Sequence, residues 1–290
     1  MTLPTHNMIY WQTSTRKLDM AKPLVMAILN VTHDSFSDGG NFVETDDALK
    51  HAEMLVSDGA DILDIGGEST RPGSVRVPVE EEIGRVVPVI EAVTKRFDIA
   101  VSIDTTKSEV AQAAVEAGAE IINDISGLRF DELIATVAAK HGTGLVLMHS
   151  RGEFETMHSQ PPVGDIMADV AADFDRAIQT AQNSGVNPEN IVLDIGIGFG
   201  KTLGQNLELI AKLEKLVSEF KSYPLLVGTS RKSFIGKILD DAPPSERLSG
   251  SLASIAIAVW NGAKIVRVHD VKETVEALKI VKSINATRTN

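Results

Sequence analysis

The chain contains no cysteine, which excludes disulfides, thiolate metal sites and a cysteine nucleophile. Aromatic residues are scarce at 4%, so the core must be built from Ala, Ile, Val and Leu, the composition of parallel strands sheathed by helices. No apolar run approaches the roughly 20 residues of a membrane span. The first residues lack the apolar stretch of a secretory signal, and a cytoplasmic location is expected. Positive charge is also short. Lys+Arg 28 against Asp+Glu 40 leaves a net charge of -12, which disfavours broad contact with nucleic acid or anionic lipid. Any anionic substrate must therefore find a local basic pocket.

What is present is an alternation. Short β-branched runs end in polar or Gly-rich turns, and a helical segment follows each. Strands are expected over 24–31, 60–65, 99–104, 119–125, 143–149, 190–195, 224–229 and 263–269. Helices are expected over 45–57, 79–96, 107–117, 131–140, 165–184, 204–220, 245–260 and 271–283. Eight strands, each followed by a helix, are the pattern of a single-domain (β/α)8 TIM barrel over residues 24–290. A doubly wound open sheet usually has fewer strands, and no G-x-G-x-x-G follows the first strand here. Residues 1–23 form an N-terminal extension, read as a short hairpin or plug at the barrel's bottom.

Barrel enzymes place their chemistry at the C-terminal ends of the strands. In this chain those ends carry Asn30, Asp64, Asp104, Asn123, His149, Asp194, Ser230, Arg267 and His269. One polar strand end can be explained as a helix cap, but nearly eight together cannot. Thr105 or Thr106 is expected to cap the helix after Asp104. Of the adjacent pair Asn123 and Asp124, one faces inward and Asp124 is the structural partner. His149 reads as a hydrogen-bonded structural group outside the site.

Two glycine-bearing loops stand out, Asn30–Gly40 after the first strand and Gly66–Gly73 after the second; Arg71 in the latter suits an anion clamp. The segment from Asp194 to Thr202 superficially looks like a P-loop, but its glycine spacing fails that motif. It reads as a tight strand–helix connection that leaves Asp194 exposed. The segment Gly228-Thr229-Ser230-Arg231-Lys232-Ser233 opens a helix where barrels build anion sites. Lys232, Arg267 and His269 make a cationic corner there. Carboxylates and a carboxamide at the mouth suit a flat heterocycle with several N–H donors. No spacing marks a permanent metal cage, whereas Mg²⁺ carried in by a diphosphate needs only one or two protein oxygens.

These residues resemble a known family. Ile28-Leu29-Asn30-Val31-Thr32 with Asp34-Ser35-Phe36-Ser37-Asp38-Gly39-Gly40, and then Gly66-Gly67-Glu68-Ser69-Thr70-Arg71-Pro72-Gly73, look like the two signatures of the dihydropteroate synthases. Asp104, Ile122-Asn123-Asp124, Asp194, Ser230-Arg231-Lys232-Ser233 and Arg267-Val268-His269-Asp270 follow in the family's order. The resemblance implies a transferase of folate biosynthesis. It would condense 6-hydroxymethyl-7,8-dihydropterin diphosphate with para-aminobenzoate, releasing diphosphate and 7,8-dihydropteroate, with sulfonamides competing for the aminobenzoate site. It implies an SN1-like course, with Asp104, Lys232, Arg267 and His269 as catalytic groups. It assigns Asp104, Asn123, Asp194 and Lys232 to the pterin, and Asn30, Arg71, Arg267 and His269 to the diphosphate. Phe36, Thr70, Pro72, Lys232 and Ser233 go to the aminobenzoate, and Asn30 to Mg²⁺. A homodimer formed through late helices is implied as well.

Two departures from the family pattern are visible. His33 stands where the first loop usually has proline, and Ile195 stands where the turn after the sixth strand usually has proline. Proline fixes φ, so each loss loosens a turn. Proline restored at 195 is expected to be tolerated. A catalytically silent pterin-binding paralogue and a pterin-dependent methyltransferase are the alternatives. The first is motivated by these departures. The second has no need for the diphosphate corner.

Overall fold

The computed structural model describes residues 10–31, 41–71 and 73–287. An antiparallel hairpin, β1 (Tyr10–Gln12) and β2 (Lys17–Asp19), comes first. Eight parallel strands then close into a barrel: β3 (Leu24–Asn30), β4 (Ile62–Gly66), β5 (Ala100–Asp104), β6 (Ile121–Asp124), β7 (Gly144–Met148), β8 (Ile191–Asp194), β9 (Leu225–Val227) and β10 (Ile265–Val268). They run in sequence order, and β10 pairs back onto β3. All eight expected strands are present, with ends shifted by only about one or two residues.

The helices are α1 (Asn41–Ser57), α2 (Val79–Arg96), α3 (Ser108–Glu116), α4 (Leu133–His141), α5 (Ile166–Asn183), α6 (Leu203–Ala211), α7 (Leu213–Glu219), α8 (Ser233–Ile238), α9 (Leu248–Trp260) and α10 (Val271–Ala286). In α2, Val86, Val89, Ile90 and Val93 recur at helical spacing and are buried. Glu80, Glu81 and Glu82 lie in its first turn and Lys95 and Arg96 in its last, matching the helix dipole. Among the described residues no helix is long and apolar enough to cross a membrane.

Strand side chains alternate, so the barrel has two cores. Outward residues such as Leu63, Ile103, Leu145 and Leu193 pack against the helices. Inward residues Met26, Ile62, Ala100, Ile121, Val146, Val192, Leu226 and Ile265 fill the barrel's lower interior. Trp11 of the hairpin is completely buried among them. Its indole N–H donates to the Asn190 carbonyl at 2.8 Å. Gly144 makes room: a Cβ there would lie 2.9 Å from the indole. The expected plug is thus the β1–β2 hairpin.

Three local expectations change, and a fourth falls outside the described residues. The helix expected over 204–220 is broken at Lys212 into α6 and α7. Asn261 Nδ2 donates to the Ile210 carbonyl at 2.8 Å, capturing an acceptor that a continuous helix would use itself. The cap of α3 is neither Thr105 nor Thr106. Instead the Asp131 carboxylate accepts the Ser108 N–H at 2.7 Å, and the Thr105 hydroxyl donates to Glu82. Ile195 is fully buried in the outer core, so proline at 195 would remove packed apolar atoms as well as stiffen the turn. The departure at His33 lies outside the described residues.

Candidate active site

The polar site follows from strand periodicity. Two residues beyond Ile62, Ala100, Ile121, Val192 and Ile265 come Asp64, Ser102, Asn123, Asp194 and Arg267. Each therefore faces the same interior as the apolar layer beneath it. Register places Asp64 beside Ser102 and Asp104 beside Asn123. A hydrophobic floor is thus capped by a polar ring.

Arg267 ties the ring together. Its Nε donates to Asp64 Oδ2 at 2.6 Å and its Nη2 to Asp104 Oδ2 at 2.6 Å. Asn123 Nδ2 donates to the same Asp64 oxygen at 3.0 Å. This uses one of the two N–H donors of Asn123, and its carbonyl oxygen accepts no hydrogen bond among the described residues. Asp64 Oδ1 and Ser102 Oγ are buried and have no hydrogen-bond partner among the described residues. Burial pushes the Asp104 carboxyl up to about 7; Arg267 opposes that shift and Asp64 reinforces it. For Arg267, burial works against the charge, but Asp64 and Asp104 outweigh it and hold the guanidinium above its ordinary range.

Asp194 is buried, at 5% exposure, and does not face solvent as expected. The reason is its inward register position, together with a turn that folds over it. Its Oδ1 accepts the Gly196 N–H at 2.8 Å. Gly196 has φ +61°, and a Cβ there would lie 1.9 Å from the His149 carbonyl oxygen. Lys201 staples this turn, donating to the carbonyls of Gly196 (2.7 Å), Phe199 (3.1 Å) and His149 (3.3 Å). Burial lowers the Lys201 ammonium to about 7, despite Asp194 nearby.

The same turn meets Lys232, whose Nζ donates to the Ile197 carbonyl and lies 4.7 Å from the centroid of the Phe199 ring. Burial lowers it to about 8, against the pull of Asp194. His269 Nδ1 lies 3.0 Å from Ser230 Oγ, which also accepts the His269 backbone N–H at 3.2 Å. A hydroxyl proton given to Nδ1 would put the ring proton on Nε2. Burial first, then Arg267 and Arg231, lower His269 to about 4.

The three basic groups do converge, yet the corner is not three positive charges. His269 is neutral at pH 7, and Arg267 is matched by two carboxylates. Arg71 is exposed at the rim, close enough to contribute to the lowering of His269. Thr70 is half-buried, and its carbonyl lies 2.8 Å from His158 Nε2. Ser233 is exposed at the first residue of α8. Asn30 is half-buried at the end of β3, and among the described residues its amide makes no hydrogen bond. Phe36 and Pro72 lie outside the described residues.

Asp124 and His149, expected to be structural, are held in hydrogen bonds of the fold. Asp124 faces away and accepts the N–H groups of Ser126 and Leu128, at 2.8 and 2.6 Å. His149 Nε2 lies 3.2 Å from Asp169 on α5, and burial lowers the imidazole to about 2. Asp64 was visible as a strand end, and its parity with Ile62 marks it as an inward charge. Phe199 and Lys201 carried no comparable signal.

Comparison with known proteins follows this geometry. The family described as "Pterin binding enzyme" matches residues 26–269. A dihydropteroate synthase of Escherichia coli K12 is 48% identical over 275 residues, covering 94% of this chain and 95% of that protein. A Xanthomonas albilineans dihydropteroate synthase solved with 4-aminobenzoic acid superposes with a TM-score of 0.90 at 40% identity, covering 97% and 99% of the two chains. A Yersinia pestis dihydropteroate synthase solved with a sulfonamide drug gives 0.88 at 46% identity, covering 97% and 100%.

Proposed function

The chain belongs to the pterin-binding enzymes and, among them, to the dihydropteroate synthases, and from that premise we propose how its own residues carry the reaction. It is a transferase of folate biosynthesis. It joins 6-hydroxymethyl-7,8-dihydropterin diphosphate to para-aminobenzoate and releases diphosphate and 7,8-dihydropteroate. The observation that carries the reading is the polar ring. Asp104, the Asn123 carbonyl and Asp194 offer acceptors to the N–H donors of a pterin, and Lys232 offers a donor. Arg267 holds two of the ring's members in place.

In the reaction the bond between the pterin methylene carbon and the diphosphate oxygen breaks, and the electron pair leaves with diphosphate. Positive charge spreads over the pterin beside Asp104. The aminobenzoate nitrogen attacks the carbon and then loses a proton. Asn30, Arg71, Arg267 through its remaining Nη1, and His269 through Nε2–H receive the leaving group. Mg²⁺ fits Asn30, whose half-buried amide has an oxygen to give, and when bound it offsets the charge of the diphosphate. Phe36, Thr70, Pro72, Lys232 and Ser233 are assigned to the aminobenzoate by the family motif, and sulfonamides would compete there.

A second copy of the chain is the proposed partner. Ile257 and Trp260 on α9, and Ile280 and Ile284 on α10, are large apolar side chains between 42% and 63% exposed on two adjacent late helices. A molar mass measured by light scattering tests this. The deciding assay for function is release of diphosphate that requires both aminobenzoate and Mg²⁺ and stops on chelation. Pterin binding without release would overturn the reading.

A pH effect follows from His269. It is neutral at pH 7 because burial, Arg267 and Arg231 lower its pKa to about 4. Diphosphate places negative charge beside it and must raise that pKa. Binding at pH 5.5 is therefore expected to take up a proton at His269, and binding at pH 8 is not. Calorimetry in two buffers of different ionisation enthalpy reads the uptake, after the ligand's own protons are accounted for in His269→Gln. Identical uptake in parent and variant would show that His269 does not face the anion.

A further inference from the structure

We propose that Lys107 is a positioning residue for the aminobenzoate and diphosphate half of the site, acting as a clasp on the loop between β4 and α2. The proposal rests on the synthase reading above. The loop leaves β4 at Gly66 and returns to the chain before Val79, and it carries Thr70 and Arg71. Lys107 lies on another element, at the start of α3, three residues beyond Asp104.

The ammonium of Lys107 donates to Glu68 Oε1 at 2.8 Å, to the Val77 carbonyl at 2.8 Å and to Glu82 Oε2. An ammonium has three donors, and all three are used. Glu68 is the outgoing foot of the loop and Val77 the returning foot. The feet also bind each other, since the Val77 N–H donates to Glu68 Oε1 at 2.6 Å. The cluster is buried: the side chains of Lys107, Glu68 and Glu82 are 10%, 6% and 0% exposed. Glu82 accepts the Thr105 hydroxyl at 2.8 Å, so the same cluster holds the chain just past Asp104. Two carboxylates face one ammonium, an arrangement dearer than a neutral packed core would be. A single pair would satisfy the ammonium in α2 alone. The third member, Glu68, ties in the loop.

Beyond the clasp the loop has further support, since Arg85 Nη1 on α2 donates to the Gly67 carbonyl at 2.7 Å. The Ser74 hydroxyl donates to Ser69 at 2.9 Å, His158 meets the Thr70 carbonyl, and Arg76 lies 4.8 Å from the ring centroid of Phe154. None of these joins the two feet. Releasing Lys107 therefore loosens the base of the loop, leaving it the Val77–Glu68 and Arg85–Gly67 bonds, while the pterin ring, held by β5, β6 and β8, keeps its partners.

The test is Lys107→Met combined with Glu82→Gln. The pair removes one positive and one negative charge, so the cluster keeps the net charge it had and Asp104 feels little change. The KM for aminobenzoate is expected to rise at least tenfold, with the affinity for a pterin lacking diphosphate, read by calorimetry, within threefold of the parent. Trypsin supplies a readout independent of activity. Arg71 precedes Pro72 and resists cleavage, so the loop's scissile bond is Arg76–Val77, whose Val77 N–H and carbonyl are both inside the clasp. Cutting there is expected to quicken at least tenfold. Glu68→Gln keeps the Lys107–Glu82 pair and guards against simple misfolding. It should shift both readouts the same way by a smaller factor, at an unchanged melting temperature. Unchanged cleavage, or equal loss of pterin affinity and aminobenzoate KM, would overturn the clasp. A parent enzyme without synthase activity would overturn the function instead, and the cleavage result would still judge the clasp.

Discussion

Asp104→Asn is expected to lower kcat by about 10²–10³-fold while leaving pterin affinity within a few-fold of the parent. In the ground state Asp104 need only accept hydrogen bonds, and an amide oxygen can do that. It can also accept from Arg267 Nη2, so the guanidinium keeps its place. When the diphosphate departs, positive charge grows on the pterin, and only a carboxylate answers it with full charge. The charge state adds a second readout. Asp104 is pushed up to about 7, because burial disfavours its anion. The protonated, less active form gains as pH falls, so kcat/KM of the parent should decline below about pH 7. The Asn variant should lack that limb. Asp124→Asn is the control. Its carboxylate serves the Ser126 and Leu128 N–H groups, and its loss should affect stability. A kcat within tenfold of the parent, or parallel losses in rate and binding, would sink the role.

Arg267→Met is expected to cost about 3–5 kcal/mol of stability and to abolish measurable turnover. Asp64 is completely buried and Asp104 nearly so, and both lose their cation together. Asn123 alone remains on Asp64. The deficit should depend on pH. In the variant Asp104, already pushed up by burial and now without its cation, titrates higher than in the unfolded chain, so the folded form binds protons more readily. Its stability therefore rises as pH falls through neutrality towards 5, and the gap to the parent narrows. Urea unfolding at pH 7.5 and 5.5 measures this. An equal gap at both values would mean that the loss comes from packing and not from orphaned charge.

The positions of the strands and of most site residues could be read from the sequence because both obey local rules. Asp64, Asn123 and Asp194 interrupt apolar runs at inward parity, and a period of two needs no knowledge of distant residues. The features that escaped depend on partners far along the chain. The break at Lys212 turns on Asn261, on another helix. A lysine is ordinarily solvated, so neither Lys107 nor Lys201 signals burial until the carbonyls and carboxylates around it are assembled. The charge of His269 was hidden for the same reason: its pKa is set by burial and by Arg267 and Arg231, and only the folded barrel brings these together. Read as residue types, the corner was cationic. Read as an environment, it is closer to balance and waits for its anion.

The Trp11 plug has a consequence for traffic. With the floor of the barrel sealed, the enzyme is a vessel with one doorway. Whatever binds deepest has to go in first, and nothing can drain out behind it. Pterin diphosphate is therefore expected to precede the arylamine, and diphosphate and the elongated product to share one way out. An arylamine that arrives early would stand in the way of its own partner, so the order of arrival at the mouth should show in initial-rate kinetics as inhibition by excess arylamine.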